Sequence, residues 1–259
     1  MENNFFIYTK KNIDLKIEKF HICAWEFKNN SALIEFGFEI KNYNLSSNEE
    51  TEFNIYIPWV TEDSAIFDLF NKLKYSENSK FIFNDSVVTN EKVTPDQPSS
   101  GIVLEFYERA PLCIMPIKYN IIKPGIVNVK VKNTYFRRES VDTEKTNLYC
   151  RFYIKPDLAK ISVRKAGITK TSIIYEMKIN EKRNLPNSID LNEINLCDIN
   201  QCFLLNILPN SFDLVSFNTK YIKSIRNLEY ESFKKYLDDS RVEEDELVVV
   251  FNKMEGLRM

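Results

Sequence analysis

Asn147–Lys155, NLYCRFYIK, alternates without a break. Leu148, Cys150, Phe152 and Ile154 fall on one side of an extended chain; Tyr149, Arg151, Tyr153 and Lys155 fall on the other. Successive strand side chains point to opposite faces, so a period of two demands a sheet with one apolar face on a core. The same period recurs elsewhere. Ile34, Phe36, Phe38 and Ile40 alternate with Glu35, Gly37, Glu39 and Lys41. Ile13, Leu15 and Ile17 begin a second run, which slips phase near Lys19 before Phe20 and Ile22, the mark of a β-bulge. Lys28–Ser31 is a turn, so 13–27 and 31–43 are predicted to form a hairpin.

Further strands are predicted at Phe53–Trp59, Lys80–Val88, Ile102–Phe106 and Val127–Val131, the last with Lys130 and Lys132 on its polar side. Pro111, Pro116 and Pro124 interrupt the stretch between the last two. Helical spacing appears over Thr61–Tyr75 and Tyr221–Leu237. Phe212–Phe217 is expected to return on Gln201–Leu208 as a hairpin, and Leu247–Phe251, an unbroken apolar run, to be a strand buried on both faces. The 19 Phe and 13 Tyr against 5 Gly agree with strands over helices. The predicted fold is mainly β or α+β. Residues 1–140 form an antiparallel β-sandwich with one inserted helix, and 141–259 a smaller α+β domain.

Net charge is only −2, but it is unevenly laid out. Residues 118–183 carry 16 Lys+Arg against 6 Asp+Glu, between two acidic flanks. A basic middle segment suits either an anion-binding face or a charge match with acidic surface of the same or another copy. The five cysteines are scattered in apolar settings and read as reduced, buried thiols of a cytoplasmic protein. MENNFFIYTKKN shows no secretory signal, and no apolar run approaches the ~20 residues that cross a bilayer. High Lys, Asn and Ile point to an AT-rich genome, bacterial or viral.

Catalysis is poorly served. His21, the one histidine, sits in an apolar run. No CxxC pair, glycine-rich phosphate loop or GxSxG elbow occurs. Neither a cofactor nor a metal is expected. Pro156-Asp157 followed by Glu176-Met177-Lys178 resembles the PD…(D/E)xK pattern of metal-dependent nucleases, which implies Mg²⁺ held by Asp157 and Glu176 with Lys178 beside the attacking water. Asp14-Leu15-Lys16 and Glu39-Ile40-Lys41 repeat the same spacing, as any strand with an acid–base polar face does.

The expected site is therefore a cationic, aromatic sheet face: Lys130, Lys132, Arg137, Arg138, Tyr149, Arg151, Tyr153, Lys155, Arg164 and Lys165. Rings stack on bases while Arg and Lys take phosphates. That face points to a non-catalytic binding or sensor module for nucleic acid or a nucleotide. The alternative is a protein–protein assembly component whose partner is an acidic protein or another copy of itself. The nuclease is a third reading.

Overall fold

A computed structural model describes residues 4–29, 31–42, 49–94, 100–137, 146–157, 162–166, 171–175, 177–209, 211–212, 222–244 and 246–252. The fold is mainly β, and two sheets stack face to face. The smaller has six strands. Its order is β14 (Lys178–Ile179), β1 (Asn4–Lys10), β4 (Glu50–Tyr56), β10 (Ile126–Lys132) and β9 (Ile117–Lys123), with β15 (Ile194–Leu196) also on β1. The larger has ten. It runs β17 (Ile222–Asn227), β18 (Glu246–Asn252), β16 (Asp198–Pro209), β2 (Lys16–Glu26), β3 (Ala32–Ile40), β11 (Asn147–Ile154), β8 (Leu112–Ile114), β7 (Ile102–Phe106) and β6 (Val87–Lys92). The three-residue β5 (Ile66–Asp68) joins β11. A separate hairpin pairs β12 (Ser162–Ala166) with β13 (Thr171–Tyr175).

The predicted boundary at residue 140 does not separate one sheet from the other. β11 lies between β3 and β8, and β16 runs parallel to β2 along nine matched residues. Strands from both sides of that boundary thus close one layer. The predicted hairpin of β2 and β3 is present, and its register shifts between Ile17 and Lys19, where the alternation slips.

The apolar sets of the two sheets meet in one core. Phe5, Phe20, Phe36, Phe38, Phe53 and Phe152 interlock there, with ring centroids 4.8–6.2 Å apart. Each such side chain contributes about 1.5–3 kcal/mol on burial. A second core covers the other face of the large sheet. Here α1 (Phe70–Leu73), α2 (Ser76–Phe83) and α3 (Tyr230–Leu237) bring Phe70, Leu73, Phe83, Phe233 and Tyr236 onto Trp25, Leu33, Leu104 and Tyr149. The large sheet is therefore buried on both faces near its middle.

Local sequence reading misplaced several elements. The helix expected over 61–75 is β5 and the four-residue α1, and the strand expected at 80–88 is the end of α2, a turn and the start of β6. Residues 222–227, expected as helix, pair with β18. Ser79 and Asn78 donate to the carbonyls of Leu73 and Lys72, closing the α1–α2 corner. Such a corner carries no strong local signal, because its bonds join residues six apart. The 212–217 half of the predicted second hairpin lies outside the described residues, apart from Phe212.

Candidate functional site

The cationic face of β11 points into the second core. Tyr149 is 0% exposed and Arg151 2%. This corrects the expectation of a presented face at these two residues: helices cover that side of the sheet. Gly37 of β3 stands opposite Arg151, and a Cβ there would lie 2.3 Å from the Tyr149 hydroxyl. The glycine provides the space that the two long side chains of β11 fill.

Arg151 meets Glu35, which is 0% exposed. Its Nε donates to Oε2 at 2.6 Å, and its Nη2 sits 2.5 Å from the same oxygen without hydrogen-bond geometry. Trp25 Nε1 donates to Glu35 Oε1 at 2.7 Å and the Tyr236 hydroxyl to Oε2 at 2.9 Å. A buried ion pair is tolerable only when its polar atoms find further partners, and here Trp25 of β2 and Tyr236 of α3 serve Glu35 while Tyr149 of β11 serves Arg151. Burial opposes the Arg151 charge, but Glu35 beside it holds its pKa well above the usual guanidinium value.

From Arg151 the network continues outward. Nη1 donates to the Tyr149 hydroxyl at 3.1 Å, which lies 3.1 Å from His21 Nδ1. Burial first, then the Arg151 charge, pushes the His21 pKa well below its usual value. The Tyr149 hydroxyl already accepts from Arg151, so it donates to the neutral ring, and His21 Nδ1 accepts that hydrogen bond. Burial likewise raises the Tyr149 hydroxyl to about 12 and the thiol of Cys23 well above its usual value. Tyr149 and Cys23 thus hold their protons, His21 is neutral, and the Tyr236 bond to Glu35 ties α3 to the sheet. Nothing in the arrangement supplies a nucleophile.

The other predicted residues disperse. Tyr153 is half-buried and stacks on Phe67 at 4.6 Å, with Lys155 exposed beyond it. Arg164 reaches from β12 to Glu26, 2.8 and 2.9 Å from its two oxygens. Lys165 is exposed on the same hairpin. Arg138 and the side chain of Arg137 lie outside the described residues. Of the nuclease-like trio, Asp157 is exposed, Lys178 lies 3.9 Å from Glu181, and Glu176 falls outside the described residues. No cluster of metal-binding side chains occurs among the described residues.

Of the predicted residues that are described, only Lys130 and Lys132 stay together on a solvent-facing surface, the outer side of the small sheet. There they join Lys118 and Asn120 of β9, with Glu50 and Glu52 of β4 alongside. Lys118 pairs with Glu50 at 3.4 Å and Lys130 with Glu52 at 3.8 Å; both pairs are solvent-exposed. Asn128 donates to Glu52 and to Asn54, each at 2.9 Å.

β9 ends this sheet, and hydrogen bonding shows which of its backbone groups are free. Ile57 N–H bonds the Gly125 carbonyl and Asn133 N–H the Glu49 carbonyl, so odd-numbered residues of β10 bond β4. Even-numbered ones then bond β9 through Lys118 and Asn120. Ile117, Tyr119 and Ile121 accordingly point their N–H and C=O outward. Ile117 N–H is taken by Asp68 Oδ2 at 3.0 Å. Among the described residues no strand lies beyond Tyr119 and Ile121. Tyr119 is 44% exposed and Ile122 55%. Sequence reading missed this strand because Pro116 and Pro124 frame it, yet both stand just outside its ladder.

A second basic place, an open concavity of about 520 Å³, is lined by Lys72, Lys74 and Lys235 beside Tyr75. Lys72 contacts Asp238 at 3.2 Å, and Lys74 lies over the Tyr75 ring. No helix among the described residues is long and apolar enough to cross a membrane. No protein-family model matches this chain, and no curated protein matches it.

Proposed function

We propose that the protein is a non-catalytic assembly component that joins another protein chain along the β9 flank of the small sheet. One observation carries this reading: an edge strand with outward backbone groups, exposed Tyr119 and Ile122, and no strand beyond it among the described residues. Edges of this kind are templates for an added strand, because main-chain bonds supply affinity and flanking side chains supply selectivity. Against a nucleic-acid face stands the loss of its strongest members. Tyr149 and Arg151 are buried, and Arg164 is engaged with Glu26.

The lysines of β9 and β10 make nucleic acid the competing partner, and salt separates the two. Phosphate binding weakens steeply with salt as counterions are released. Purified protein titrated with a labelled oligothymidine strand is expected to show no salt-sensitive binding at physiological ionic strength. Tight binding that collapses with salt, and that Lys130→Ala with Lys132→Ala abolishes, would overturn the assembly reading.

A further inference from the structure

We infer that the partner at β9 is a second copy of this chain, paired antiparallel across a two-fold axis at Asn120. This rests on the assembly reading and adds the occupant and the register. Beyond the Ile117 carbonyl, the N–H and C=O of Tyr119 and of Ile121 point outward on each edge with no partner among the described residues. An axis at Asn120 sets Tyr119 of one copy against Ile121 of the other, twice. Each pair exchanges two N–H···O=C bonds, so all of these groups are used and the Asp68 bond to Ile117 stays in place.

The side chains agree with this register. Tyr119 lies opposite Val129, on the core-facing side of the sheet, and Ile121 opposite Val127 on the same side. Across the axis an exposed ring meets an isoleucine, a favourable cross-strand pair. On the outer face Lys118 stands opposite Ile122 of the other copy, and Asn120 opposite itself. No lysine faces a lysine, although β9 carries two. An isologous contact requires this self-complementarity. The ladder is short because the register shifts after Ile121 and leaves Ile122 as a bulge. The two-fold axis uses the same edge of both copies, so the contact closes as a dimer.

Sedimentation velocity over micromolar to millimolar protein tests it, with two variants. The Tyr119 N–H makes no bond within the sheet, so Tyr119→Pro keeps the β10 ladder and the fold. It removes two of the four intermolecular bonds and is expected to weaken association by about a hundredfold or more. Asn120→Cys places two thiols across the axis and is expected to give a disulfide dimer under mild oxidation, while Lys118→Cys does not. A dimer that Tyr119→Pro dissolves and Asn120→Cys locks supports the pairing. A dimer indifferent to both overturns it and leaves assembly by another surface. A monomer throughout overturns it too; the oligothymidine titration then decides separately whether the assembly reading falls with it.

Discussion

β11 and β9 look opposite in sequence and prove opposite in the fold, but in reverse. β11 alternates cleanly, a pattern that predicts its cations in solvent, yet both its faces are covered. β9 is framed by prolines, a pattern that predicts interruption, yet it is a seven-residue strand with an open edge among the described residues. Alternation reports which residues share a face. It does not report what lies over that face. The difference is set by long-range partners: α3, more than 75 residues after β11, closes over Arg151, while nothing described closes over β9.

The comparison breaks first at Glu35. If the β11 face is truly internal, Glu35→Ala leaves the Arg151 charge buried without its carboxylate and is expected to cost about 3–5 kcal/mol. Replacing both residues together, Glu35→Leu with Arg151→Met, is expected to regain most of that loss, because no orphaned charge remains. Chemical denaturation of the three proteins measures this. A loss under about 1 kcal/mol for Glu35→Ala would mean that water reaches Arg151.

Gly37 sharpens the same point at smaller amplitude. Gly37→Ala puts a methyl against the Tyr149 hydroxyl and is expected to cost about 1–3 kcal/mol. Adding Tyr149→Phe removes the clashing oxygen and is expected to recover some of it. A Gly37→Ala protein as stable as wild type would show that the ring has room to move.

Much of this was legible once two strands are read together. Glu35 and Glu39 share the polar side of β3, and Arg151 the polar side of β11. Arg151 stands opposite Gly37, between those two acids on the same side of the sheet, so the charges are complementary and Gly37 marks the place where space is needed. The pairing itself was not legible, because β3 and β11 lie more than 100 residues apart and loop lengths do not fix which strands meet. The helices were misplaced for a similar reason. α3 is short and held mainly by Phe233, Tyr236 and Leu237 against the sheet, so tertiary packing outweighs its intrinsic propensity.

Asp68 links the two regions and adds a pH test. It accepts from Phe70 N–H at 2.9 Å and from Ile117 N–H at 3.0 Å, tying β5 and α1 to the start of β9. Burial outweighs both bonds and raises its pKa from 3.8 to about 6. The folded state thus binds the proton more tightly than the unfolded one. The resulting stabilisation is complete below about pH 4 and is lost as pH rises through about 6. Relative to Asp68→Asn, the wild type is expected to lose stability over that interval, read from urea midpoints at each pH. Parallel profiles would mean that Asp68 is solvated.

The smallest effect is expected on the open flank, and there smallness is the evidence. Ile122 is a bulge residue that is 55% exposed on the outer side of β9. Ile122→Ser removes little apolar area from any core and leaves the β10 ladder intact, so the stability of the monomer is expected to change by no more than about 0.5 kcal/mol. Denaturation at low concentration isolates that figure, because a paired β9 would add a concentration-dependent term that the monomer lacks. A loss of several times that size under dilute conditions would place Ile122 against protein within its own chain. β9 would then be as covered as β11, and the contrast between the two strands would dissolve.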